Sequence, residues 1–354
     1  MKRSLITVFT FVLGLCLFFP YTGKAAANPT YFTAEANKTT VPGIYKSTPN
    51  GKASLVLKGA IFKPKTITSP LIKLTDTNFF QTNGKAGNKE DENIISKPIQ
   101  DVQTSGKDIY YTKFLMSAMY AGSCGGGGGD ILEVFKKSAS GKVTKVTSDK
   151  VSSHTEQSIK VANSSLYYPK VEDQVMGNFS IVRLTLNGKS KKTLIKKVDD
   201  FWIQQNKIYV IKDEALYKMN LDGSSLKKQT DMQAKLYDAS GCDEGNYMVS
   251  KNGVTAANWD KSNEIVYYQF STGKTSKLSG GDGIIDVNLK TKKYLAFSYD
   301  DDENSAISLF DFKGKLIKKV KVFNWDNGFK LISADAIKGE LLYSEGSKLK
   351  LTKF

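Results

Sequence analysis

Asp300, Asp302 and Asn304 alternate in SYDDDENSAISLFD (residues 298–311), and Asp311 follows where a twelve-residue loop would place its last carboxylate. Oxygen donors at positions 1, 3, 5 and 12 are the ligand set of a calcium loop, because Ca²⁺ takes about six to eight hard oxygens. Ser305 stands at the sixth position, where the sharp turn of such a loop calls for glycine. These four residues are the metal candidate, and a solvated acidic loop is the other reading.

Little else in the chain could do chemistry. His154 is the single histidine, so zinc sites and catalysis by several imidazoles are excluded, and no GxSxG elbow accompanies it for acyl transfer. The run Gly125 to Gly129 bares backbone amides that could face an anion. A phosphate-cradling loop would end in GK[ST] at a helix start, whereas Asp130 and an apolar run follow here. A flexible loop is expected. Cys124, just before that run, has only a general lysine field to lower its thiol pKa. No catalytic residue and no cofactor other than calcium is expected.

The elements that must carry these residues repeat. Six stretches align on a turn glycine: Gly51, Gly141, Gly188, Gly223, Gly273 and Gly314. Asn187-Gly188 and Asp222-Gly223 are hairpin dipeptides, since glycine accepts the positive φ of a tight turn. Before Gly223, Tyr217, Met219 and Leu221 alternate with Lys218 and Asn220, which is the period of a strand. A second strand signal precedes most of these glycines: DIYYTKF at 108, SLYYPKV at 165, KIYVIKD at 207, KYLAFSYD at 293 and, without a glycine after it, ELLYSEG at 340. Each follows a segment containing Asp, Asn or Gln. Four strands recurring about every 40 to 45 residues mark propeller blades. The fold expected is all-β, a propeller of four-stranded blades, with seven blades favoured and six the alternative.

Residues 28–43 read as a linker and 44–354 as one propeller domain. The 90 residues between Gly51 and Gly141 leave room in 59–98 for a degenerate blade or an insertion. The chain ends on a strand without a hairpin partner, so the N-terminal strand is expected to complete the last blade and close the ring. In that register Cys124 and Cys242 fall on loops of opposite faces, and no disulfide joins them. Tyr110, Tyr111, Tyr167, Tyr168, Tyr209, Tyr267 and Tyr268 recur at strand positions and are expected to fill the space between blades.

Tyr110-Tyr111-Thr112-Lys113 and Leu216 to Ser224 (LYKMNLDGS) resemble the YWTD and LDG elements of the low-density-lipoprotein-receptor type propellers and their bacterial secreted relatives of unknown function. The YWTD tetrad is nowhere complete, and that family has six blades. The resemblance implies a non-catalytic, extracellular, partner-binding propeller.

Residues 1–27 have Lys2 and Arg3, an apolar run from Leu5 to Phe19, and Ala25 and Ala27 in an AxA pattern. That is a signal peptide, too short to span a membrane. The chain carries +16, and +13 once Lys2, Arg3 and Lys24 leave with the leader. Arg3 and Arg183 are its only arginines. Lysine is a hydrated point charge without the fork that reads bases, so nucleic acid is not the expected partner. The expectation is a secreted monomer acting as a binding or scaffolding module at the cell surface or wall, with a protein or an anionic cell-wall polymer as its partner. The alternative is a lactonase-like or glycan-lyase-like enzyme using calcium at 298–311.

Overall fold

The computed structural model describes residues 29–34, 40–59, 99–122, 125–152, 159–171, 179–232, 247–258, 264–279, 283–300, 304–324 and 327–354. These residues form seven antiparallel sheets, each built from strands consecutive in sequence. Blade 1 holds β1 (Thr30–Ala34), β2 (Gly43–Ser47) and β3 (Ser54–Lys58); blade 2 holds β4 (Ile99–Ser105), β5 (Asp108–Gly122), β6 (Gly125–Lys137) and β7 (Val143–Ser152). Blade 3 holds β8 (Lys160–Ala162), β9 (Ser165–Val171), β10 (Phe179–Thr185) and β11 (Lys191–Val198). Blade 4 holds β12 (Asp200–Gln204), β13 (Lys207–Lys212), β14 (Ala215–Asn220) and β15 (Lys227–Asp231). Blade 5 holds β16 (Tyr247–Val249), β17 (Gly253–Asn258), β18 (Glu264–Gln269) and β19 (Lys274–Ser279). Blade 6 holds β20 (Ile284–Asn288), β21 (Lys293–Asp300), β22 (Asn304–Asp311) and β23 (Leu316–Phe323). Blade 7 holds β24 (Phe329–Asp335), β25 (Glu340–Glu345) and β26 (Lys348–Lys353).

The chain is a seven-bladed β-propeller. Its seven sheets are reached without residues 60–98, which lie outside the described residues along with the leader. First strands of neighbouring blades approach one another, β1 with β4, β4 with β8, β8 with β12, β16 with β20 and β20 with β24. They line the axis, and the last strand of each blade forms the rim.

Seven apolar clusters hold the ring, one at each junction. Ile44 with Ile109 and Tyr111 joins blades 1 and 2, and Tyr110 with Leu166 and Tyr168 joins blades 2 and 3. The series continues through Tyr167 with Phe201, Tyr209 with Tyr268, Tyr267 with Tyr294 and Phe323 with Phe329. Phe32 and Tyr45 against Leu349 complete the circle between blades 7 and 1. The seven tyrosines singled out in the sequence are all at most 2% exposed, as inter-blade packing requires. Several also reach across a junction by hydrogen bond: Tyr167 Oη donates to the Leu221 carbonyl, Tyr168 Oη to Asp149 and Tyr268 Oη to Gln229.

Closure differs from the sequence expectation. Strand β1 does not complete blade 7; residues 30–34, read as linker, pair with β2 in register Thr30 to Ser47. Asn50 makes the link instead. From the β2–β3 turn, at φ 60°, its N–H donates to the Leu349 carbonyl and its Oδ1 accepts from the Leu351 N–H. One residue, through its backbone N–H and its side chain, thus satisfies two groups on the open edge of β26 that a fourth strand would have taken. Near the axis, Lys330 Nζ donates to Thr33 Oγ1 at 2.7 Å.

Candidate functional site

Asp311 does not join the other calcium candidates. Asp300 pairs with Asn304 across the β21–β22 turn, whereas Asp311 ends β22 opposite Lys293. Seven residues of extended strand, about 23 Å, separate Asn304 from Asp311. A strand cannot wrap an ion, and Asp311 Oδ1 accepts instead from the N–H groups of Lys313 and Lys315 in its own turn. Asp302 lies outside the described residues. Among the described residues no group of three or more His, Cys, Asp or Glu could hold a metal.

The glycine run is strand rather than loop. Gly125 to Gly129 open β6 and pair back onto β5, with Gly126 opposite Ala121 and Gly127 opposite Tyr120. Strand β4 accompanies β5 only as far as Lys113 and β7 accompanies β6 only as far as Gly129, so from Gly129 to its tip the β5–β6 hairpin runs on as a two-stranded arm. Sequence reasoning missed it because glycine is a poor strand former that tolerates the ladder only when a partner holds it there. His154, Cys124 and Cys242 fall outside the described residues. Cys242 falls in sequence between β15 and β16, not between the first two strands of a blade. The argument that set it on the opposite face from Cys124 therefore fails.

Polar groups near the axis join blades. Asp286 on β20, 1% exposed, accepts at Oδ1 from Ser250 Oγ (2.5 Å) and at Oδ2 from Asn252 Nδ2 (2.8 Å) and the Ala336 N–H (2.7 Å). One carboxylate thereby ties blade 6 to blades 5 and 7. Burial pushes its pKa up against the opposing pull of these bonds. Asp335 takes Asn252 Nδ2 and Lys251 Nζ from blade 5. Asp101 on β4 repeats the device, accepting from the N–H of Val102 and, in blade 3, of Ile159. Asp200 accepts from the Phe201 N–H within its own strand. Asp101, Asp286 and Asp335 are therefore blade latches.

A polar cleft of about 320 Å³ lies where blade 6 meets blade 7, lined by Lys321, Val322, Phe323, Asn324, Asn327 and Glu345. Lys321 Nζ sits 2.6 Å from Glu345, and Lys350 binds the other carboxylate oxygen. Burial works to raise the Glu345 pKa, but the two ammonium groups outweigh it and hold it below the usual range. Its carboxylate is not a base poised near neutral pH.

Asp199, between β11 and β12, is different. Burial, then the charge of Asp213, push its pKa up to about 6, with Lys212 opposing. An acid whose folded pKa lies above its unfolded value binds its proton more tightly in the fold. The stability this contributes is present at low pH and lost as pH rises through about 6. Asp199→Asn is expected to stabilise the fold by about 1 to 2 kcal/mol at pH 8, after allowance for partial exposure, and by nothing near pH 4. Urea unfolding of both proteins across that range measures it, and a difference independent of pH would contradict it.

Charge is sorted radially. The seven last strands, β3, β7, β11, β15, β19, β23 and β26, carry seventeen lysines against two acids, Asp149 and Asp231. The seven first strands carry two lysines and four aspartates. Fourteen of the rim lysines are exposed. Asp149 already binds Lys191, and Asp231 binds Lys228. The described last strands therefore carry a net charge of +15 (17 − 2), against −2 (2 − 4) on the first strands.

No family model matches the chain, and no curated protein matches it. Among solved structures it is similar to TolB from Acinetobacter baumannii, at 10% identity and a TM-score of 0.33, over 72% of this chain and 78% of that one. It is similar also to the β-propeller domain of the Trilobed protease from Pyrococcus furiosus, described as having an open velcro topology, at 9% identity and a TM-score of 0.38 over 73% and 80% of the two chains. The propeller assignment itself rests on the seven sheets and the seven junctions between them.

Proposed function

We propose that this propeller is exported and acts as a monomeric, non-catalytic binding module at the cell surface or wall, with a protein or an anionic wall polymer as its partner. The carrying observation is the radial sorting of charge: axial carboxylates are engaged in holding blades together, while the exposed rim is almost purely cationic. Such a surface attracts polyanions through a field that salt screens, with a Debye length of about 10 Å at 0.1 M. The leader-like residues 1–27 support export. The resemblance to secreted YWTD-type propellers points the same way, although seven blades depart from that family's six. A calcium-dependent lactonase-like or glycan-lyase-like activity has less support, because Asp311 stands at the far end of a strand from Asn304.

Mixing residues 28–354 with isolated cell walls over a salt series tests the reading. Sedimentation with the walls at low salt, released as salt rises, is the expected result. Absence from the wall pellet at every ionic strength would reject the anionic partner, and a salt-insensitive pellet would point to the protein partner.

A further inference from the structure

The rim lysines have an internal order that net charge does not convey. In five of the six glycine-turn hairpins a lysine directly follows the glycine: Lys52, Lys142, Lys189, Lys274 and Lys315. Only Gly223 departs, with Ser224 next and Lys227 and Lys228 beyond it. Strands alternate in direction within a blade, so the turns that join third to fourth strands emerge on one face of the ring, whereas Lys52, in the second-to-third turn of three-stranded blade 1, emerges on the other. The five lysines are all exposed. They join no ion pair among the described residues, and blades 2, 3, 5 and 6 contribute one each to the shared face.

Neighbouring blades touch at this perimeter. Lys191 of blade 3 reaches Asp149 of blade 2 at 2.6 Å, and Lys192 of blade 3 lies 3.5 Å from the Asp222 carbonyl of blade 4. The cations of blades 2, 3 and 4 therefore adjoin one another along the perimeter. A small anion meets one or two of them at a time. A long flexible chain with a charge on each repeat meets many, and each further contact is intramolecular.

We infer that the perimeter of the glycine-turn face is a track for a linear, flexible phosphate or phosphodiester polymer, which lies across successive blades and is held by the turn lysines with those of the last strands. This rests on the binding-module reading above and names its site and ligand chemistry. Lysine suits such a chain because an ammonium makes no demand for a planar, bidentate partner. Nucleic acid fits less well, since the recurrent tyrosines that could stack on bases are buried in the junctions.

The probes are sodium polyphosphate of about three and about one hundred units, poly(glycerol phosphate), poly-glutamate and single-stranded DNA. Each is titrated at several salt concentrations against the natural chain, the variant K142Q/K189Q/K274Q/K315Q and, as a control on the opposite face, K52Q. The turns are exposed, and an unchanged melting temperature certifies the variant's fold. Long polyphosphate and poly(glycerol phosphate) are expected to bind, and the three-unit chain hardly at all. The variant should lose about 100-fold in affinity at low salt, and its slope of log affinity against log salt should fall by about 3 to 4. Tighter binding to poly-glutamate would make the ligand a carboxylate polymer and overturn the phosphate assignment, and tighter binding to DNA would overturn the exclusion of base stacking.

Affinity independent of chain length, or unchanged in the variant, would overturn the track. If the variant instead self-associates while binding as before, the lysines serve to keep outer edges apart, and the inference falls. Wall retention that survives the four substitutions would reject this site and leave the binding-module reading standing. Loss of wall retention by the natural chain would reject that reading itself.

Discussion

Replacing Asp286 by alanine is expected to lower the unfolding free energy by about 3 kcal/mol. The substitution strands three donors at once: Ser250 Oγ, Asn252 Nδ2 and the Ala336 N–H, all within 2.8 Å of the carboxylate. Relief of the burial that raises the Asp286 pKa offsets part of that loss. Asparagine separates the two contributions. Its carbonyl at the Oδ2 position keeps Asn252 and Ala336, and its amide at the Oδ1 position can donate to Ser250 Oγ. Ser250 can then turn its own hydrogen to the Gly253 carbonyl, 3.1 Å away. The Val287 N–H, which also binds the carboxylate, loses ground, so Asp286→Asn should cost about 1 kcal/mol. Urea denaturation of the two variants decides the matter. Equal losses would mean that the charge rather than the bonding pattern holds blades 5, 6 and 7 together.

The same residues show where sequence was informative. Local rules act over a few positions, and they were legible: all six turn glycines join third and fourth strands, or second and third in blade 1, and five of the six take a positive φ. In the sixth turn Asn50 adopts it, and its side chain closes the ring. Nothing within a few residues of Asn50 announces that role, because its partners Leu349 and Leu351 lie 300 positions away. The axial acids were visible as a recurring residue type but not as latches, since Asp101 reaches Ile159 and Asp286 reaches Ala336 across a blade junction. The twelfth position of the calcium reading was misplaced for the opposite reason: its spacing was correct locally, while the extended backbone of β22 carries Asp311 away from Asn304. The lysine sorting was present in the composition and became meaningful only when the last strand of every blade was known to be the rim.

A single methyl group at Gly253 is expected to be almost as damaging as the loss of Asp286, destabilising the fold by about 3 kcal/mol. Gly253 takes no unusual φ; space is what requires glycine. An added Cβ would stand 2.3 Å from the Tyr268 carbonyl oxygen and 2.4 Å from Tyr267 Cε2. Neither neighbour can yield easily. The Tyr268 backbone belongs to the β17–β18 ladder, in which Gly253 faces Gln269, and the Tyr267 ring is fully buried against Ile284 and Tyr294 of blade 6. Moving either one disturbs the hairpin whose Ser250 and Asn252 bind Asp286. Tyr267→Phe provides the control. Its hydroxyl has no hydrogen-bond partner, so removing it should leave stability nearly unchanged, and the ring atoms that cause the clash remain. Thermal unfolding should therefore place G253A/Y267F as low as G253A alone. Recovery in the double variant would show that the hydroxyl, not the ring and the ladder, sets the limit at this junction.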